Sequence, residues 1–96
     1  MTKAEIVSKI SNDLGIEKTE VLATVESFMT EVKGCLESGN SVYLRGFGSF
    51  VIKTRAEKIG RNILKNRSIK IPAHNIPAFK PSKVFLEGVK NKVKVI

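Results

Sequence analysis

Nine cations fall between Lys53 and Lys83, namely Lys53, Arg55, Lys58, Arg61, Lys65, Arg67, Lys70, Lys80 and Lys83, against the single acid Glu57. Ammonium and guanidinium groups at this density have one chemistry in common, which is ion pairing with a polyanion, and phosphate esters suit the guanidinium fork best. Catalysis has nothing to run on. The chain shows no nucleophile beside a base, no paired carboxylates and no phosphate-cradling glycine loop. It is read as a binding protein with no cofactor and no small-molecule substrate.

Such a run of charge cannot sit in a core, so something thin must carry it. The segment alternates with period two, placing Ile69 and Ile71 on one side and Ser68 and Lys70 on the other, and residues Asn62 to Asn66 have turn chemistry. This predicts a two-stranded basic arm. The ten steps from Lys53 to Ile63 would extend it by roughly 33 Å, close to one turn of B-DNA at about 34 Å. An isolated hairpin is marginal in water, so the arm is expected to be mobile when free and to order on its ligand. Pro72, Pro77 and Pro81 punctuate the return and favour edge or extended geometry.

The elements that hold the arm come first in the chain. Thr2 and Glu5 have the spacing of a helix N-cap box. Ile6, Val7, Ile10 and Leu14 then share a face, and Gly15 stops the helix. A second helix over about Lys18 to Ser38 carries Val21, Leu22, Val25, Phe28, Met29, Val32 and Leu36 as a stripe at period 3.6, ending at Gly39. That stripe is wider than one short helix can cover, which calls for a second copy of the chain. From Ser41 the period becomes two: Val42 and Leu44 face one way and Tyr43 and Arg45 the other. Gly46-Phe47-Gly48 then turns the chain into a strand with Phe50 and Ile52 inward. Two readings of this turn stand side by side, a plain hairpin and a turn that offers its amides to phosphate. After Pro81, Ser82 caps a last helix over about Lys83 to Asn91, with Val84, Phe85 and Val89 inward, and the tail to Ile96 frays.

Composition agrees with a split molecule. Residues 1–52 hold 5 Lys/Arg and 7 Asp/Glu, while residues 53–96 hold 12 and 2, which together make the net charge of +8. Ninety-six residues make one domain, and a chain of this size buries only about 60% of its unfolded surface, so self-association is expected. No apolar run approaches the roughly 18 residues that span a bilayer, and the start MTKAEIV is too polar for a signal peptide. These features, with a lone Cys35, suit a reducing, cytoplasmic setting and no membrane partner.

The words GFGSF (Gly46 to Phe50), GRN (Gly60 to Asn62) and IPAHNIPAFKPSK (Ile71 to Lys83), in this order after two helices, resemble the bacterial HU and integration host factor family of DNA-bending proteins over about residues 1–91. The resemblance implies an α+β fold. Residues 1–40 form an intertwined dimer body, residues 41–81 a small antiparallel sheet with a protruding two-stranded arm, and residues 82–92 a short C-terminal helix, all within one domain of residues 1–96. It implies a homodimer, or a heterodimer with a related chain, that bends double-stranded DNA through the minor groove with low sequence specificity and compacts the bacterial nucleoid.

DNA contacts are assigned to Lys53, Arg55, Lys58, Arg61, Lys70, Lys80 and Lys83, with Arg55, Arg61 and Asn62 entering the groove. Secondary contacts are the amides of Gly46 and Gly48, Lys3 and Ser82. Family members usually carry proline after the Arg-Asn pair as a wedge between base steps. Here the position is Ile63, an apolar side chain that can also unstack a step.

Other readings attach to the remaining chemistry. Phe28, Phe47, Phe50, Phe79 and Phe85 would serve a single-stranded DNA or RNA module if exposed, but their spacing puts them on inward faces. The basic arm could instead grip an acidic protein. His74 has no second ligand for a metal, and Cys35 reads as a small core residue.

Overall fold

A computed structural model describes residues 1–62 and 67–95. Helix α1 (Lys3–Leu14) begins where the Thr2 hydroxyl accepts from the Glu5 amide at 3.3 Å, and it closes at Gly15. Helix α2 (Lys18–Glu37) packs across it, and Ser38 is its cap rather than its last turn. Strands β1 (Val42–Leu44), β2 (Gly48–Arg55) and β5 (His74–Pro81) form an antiparallel sheet in the order β1-β2-β5. Strands β3 (Lys58–Asn62) and β4 (Arg67–Ile71) form a separate ribbon, and α3 (Lys83–Lys92) follows β5.

The arm differs from the sequence expectation in one respect. Lys53 to Arg55 and His74 to Pro81 belong to the three-stranded sheet, where β2 and β5 pair without interruption from Gly48↔Pro81 to Arg55↔His74. Pairing then stops at Ala56-Glu57 and Pro72-Ala73 and resumes at Lys58↔Ile71. The separate ribbon therefore comprises residues 58–62 and 67–71, joined to the body by two short unpaired links, and not one strand continuing from Lys53. Proline at 72 has no amide to donate, and this contributes to the break.

The body is thinly covered. Among the described residues only Val7, Val21 and Val32 are buried apolar residues, one from α1 and two from α2. The stripe predicted on α2 forms, yet Phe28 is 46% exposed, and Leu22 and Met29 are also open. The chain exposes 8472 Å², whereas a compact monomer of 10.6 kDa would expose about 5,500 Å². Its radius of gyration is 19.0 Å, against about 12.5 Å for a compact domain of this length. The protruding ribbon accounts for part of the excess. The open apolar stripe adds to it, and an obligate dimer interface of 2,000 Å² or above would cover it.

The same open packing corrects two inward assignments. Val84 is 74% exposed and Val89 is also on the open side of α3, so only Phe85 of the three expected positions packs within the chain. Phe47, Phe79 and Phe85 are each over a third exposed, yet they stack on one another and on Phe50. Ring centroids lie 5.1 Å apart for Phe47–Phe79, 5.6 Å for Phe47–Phe85 and 4.9 Å for Phe50–Phe79. This cluster ties the β1–β2 turn to α3. The Ser82 amide donates to the Phe47 carbonyl at 2.9 Å in the same place.

Candidate nucleic-acid interface

Directly opposed residues of an antiparallel sheet point to the same face, so the register sorts the side chains. Val42, Phe50 and Phe79 lie in one row and Ile52 and Pro77 in the next on the same face, where the end of α2 approaches. Thr54 and Asn75 extend that face outward, the Thr54 hydroxyl donating to Asn75 Oδ1 at 2.7 Å. The opposite face carries the row Tyr43, Ser49 and Lys80, then Val51 with Ala78, Lys53 with Ile76, and Arg55 with His74. Lys53, Arg55 and Lys80 thus share one face and are all exposed, with Val51, Ile76 and Ala78 half-buried between them.

At one end of that face a recess of about 340 Å³ is lined by Tyr43, Arg45, Gly46, Gly48, Lys80 and Ser82, among others. Gly46 is the residue of positive φ in the Leu44–Phe47 turn, at φ 82°, and the Phe47 amide donates to the Leu44 carbonyl at 2.9 Å. Gly48 serves another purpose. It is a strand residue outside the left-handed region, and a Cβ on it would lie 2.5 Å from the Lys80 carbonyl oxygen and 2.6 Å from Phe79 Cζ. The close approach expected at the two glycines occurs at Gly48 alone, and it is to the protein's own β5. Ser82 is also engaged internally, its hydroxyl accepting from the Phe85 amide at 3.2 Å as the cap of α3, and Lys83 opens that helix.

On the ribbon, Lys58 stands opposite Ile71 and Lys70 opposite Ile59, so the two cations occupy opposite faces. Lys70 Nζ lies 3.1 Å from Glu57 Oε1 in the link below it. Arg61 and Asn62 take strand positions opposite Ser68 and Arg67, but their side chains lie outside the described part. Ile63, the expected wedge, and the tip turn to Asn66 lie outside the described residues.

Lys3 lies on α1 and not on the sheet or the ribbon. Its Nζ donates to Glu26 Oε1 on α2, and that hydrogen bond, with the lysine's charge, holds the Glu26 carboxyl below the usual carboxylate range. A lowered value means that the pair stabilises the fold above the ordinary carboxylate pKa and loses that contribution as pH falls through the depressed one. Accordingly, Lys3→Met should return the Glu26 titration, followed by carboxyl NMR, to the ordinary range. An unchanged midpoint would refute the pairing.

Sequence reasoning left Arg45, Tyr43, Ser49 and His74 off the interface, although all four lie on the cationic face or in its recess. The signal was present for Tyr43 and Arg45, which alternate with Val42 and Leu44. For His74 it lay in the register with Arg55, which one strand alone does not reveal.

A one-sided cationic sheet continued by a cationic ribbon is the geometry against which relatives can be judged. The family model described as bacterial DNA-binding protein matches residues 1–90. The chain belongs to that family. It is similar to the SPbeta prophage-derived DNA-binding protein HU 2 of Bacillus subtilis, 38% identical over 92 residues that cover 96% of this chain and all of that one. It is equally similar to the integration host factor subunit alpha of Alteromonas mediterranea, 38% identical over 95 residues that cover 99% of this chain and 96% of the relative. Among solved structures, the Anabaena HU–DNA cocrystal structure aligns with a TM-score of 0.88 at 34% identity, covering 93% of this chain and 97% of that one. Membership in this family of HU and integration host factor proteins makes the chain a DNA-binding protein and not an enzyme, with the α+β fold read from its sequence.

Proposed function

We propose that two copies of this chain bind one duplex through the minor groove and bend it, compacting DNA in the bacterial nucleoid. The observation that supports this best is the shared face of Lys53, Arg55 and Lys80 running into a ribbon whose residues 58–71 hold no acid. The open apolar stripe of α2 is where the second copy packs, so that two ribbons project from one body. Lys58, Lys70, Arg61 and Asn62 follow the backbone along the groove, Ile63 wedges a base step, and Gly46, Gly48, Ser82, Lys83 and Lys3 make outer contacts. The single-strand reading is weaker, because Phe47, Phe50, Phe79 and Phe85 are spent on one another. Among the described residues no helix is long and apolar enough to cross a membrane.

Bending an intact 20–30 bp site costs on the order of 1–6 kcal/mol, which a nick or gap largely relieves. Titration of intact, nicked and pre-bent duplexes at matched salt should therefore show about tenfold or greater preference for the deformed forms, with two chains per duplex by sedimentation. Ile63→Ala should reduce the bend seen by end-to-end energy transfer, and Arg55→Ala with Arg61→Ala should weaken every duplex alike. Equal affinity for straight and deformed DNA would remove bending from the mechanism.

A further inference from the structure

Glu57 is the single acid between Lys53 and Lys83, and it sits in one of the two unpaired links through which the ribbon joins the body. Its Oε1 lies 3.1 Å from Lys70 Nζ, a cation of the ribbon's second strand, with side chains 51% and 74% exposed. The pair therefore ties one link to the ribbon's opposite strand, at the end where the ladder resumes. Two short links without ladder pairing join ribbon and sheet, so an ion pair that fixes one link to the ribbon's opposite strand has leverage on the ribbon's angle. A carboxylate and a phosphate diester offer a lysine the same thing, two anionic oxygens. Both cannot hold the ammonium at its best geometry at once.

We propose that Glu57 is an internal stand-in for DNA phosphate: it holds Lys70 and the ribbon in a resting position, and duplex DNA must displace it. This rests on the DNA-binding reading above. The carboxylate thereby lowers affinity and tunes it to salt. Being exposed, the pair is screened as ionic strength rises, so its opposition to binding is greatest at low salt. Removing the carboxylate leaves Lys70 free for phosphate and lets the ribbon swing at no cost.

The experiment is a double-mutant cycle on the full chain, reading affinity for one nicked duplex and its salt dependence. Glu57→Gln should bind about three- to tenfold tighter at low salt, the range that exposed ion pairs on two ribbons allow. The slope of log affinity against log salt should steepen, because only in the native chain does the cost of breaking the pair fall as salt rises. In the Lys70→Gln background the same change should give under a third of that gain. Glu87→Gln, which removes an exposed acid on α3 and so shifts net charge equally, should leave the slope unchanged. A gain that persists without Lys70, or that Glu87→Gln reproduces, would assign the effect to overall charge and overturn the proposal. So would unaltered binding by Glu57→Gln. If the native chain fails to bind any duplex, the DNA-binding reading itself is lost, an outcome separate from these.

Discussion

Gly48→Ala should unfold the protein at least about 12 °C below the native chain. The added Cβ would meet the Lys80 carbonyl oxygen at 2.5 Å and Phe79 Cζ at 2.6 Å. A flexible side-chain end would move aside, but the first of these atoms is backbone, and the second belongs to a ring wedged between Phe47 and Phe50. Relief requires that β5 shift away from β2, at the point where Ser82 is tied to Phe47 and α3 begins. Overpacking of this kind costs about 3 kcal/mol, and each kcal/mol lowers the midpoint of a domain this small by about 4–8 °C. Gly46→Ala is the instructive contrast. No atom lies within 4 Å of its Cβ site, but φ is 82°, so the cost is about 1–2 kcal/mol of left-handed strain. Thermal melts followed by circular dichroism separate the two. A smaller loss at 48 than at 46 would mean that β2 and β5 are not held this tightly.

How much of this was legible in the residues depends on what each inference needed. The helices were readable because their signals are local: Thr2 and Ser82 both cap as expected, and the period of 3.6 on α2 is intact even where its stripe stays open. The sheet's two faces were readable for the same reason, since alternation is a property of one strand. The arm's true boundary was not, because it depends on where a ladder between distant residues stops, and Ala56-Glu57 looks like any other exposed pair. The purpose of Gly48 was also out of reach, since the atoms crowding it are more than thirty positions away in the chain. The inward assignments of Val84 and Val89 erred through the assumption that one chain supplies its own cover. Val84 at 74% and Phe28 at 46% exposure show that it does not.

Neutralising Lys53, Arg55 and Lys80 together, each to Gln, should weaken duplex binding at least about a hundredfold at moderate salt. These three are the cations whose common orientation follows from the described register, and none of them makes a salt bridge to an acid among the described residues. They are thus poised to exchange bound counterions for phosphate. A pair of chains would lose six such contacts, flattening the slope of log affinity against log salt by about 5. The fold should be unaffected, because the three side chains are exposed. The matched comparison is Lys9→Gln, Lys18→Gln and Lys94→Gln, an equal loss of charge from α1, α2 and the tail. If DNA responds only to net charge, the two triple variants will bind alike. If the sheet face is the contact surface, only the first flattens the salt dependence, and the ribbon then acts as the outer half of a surface whose inner half is rigid. That division matters physically: a cationic face built on a paired sheet sets the register of the duplex at little entropic cost, leaving the seating of strands β3 and β4 as the step that DNA deformability can modulate.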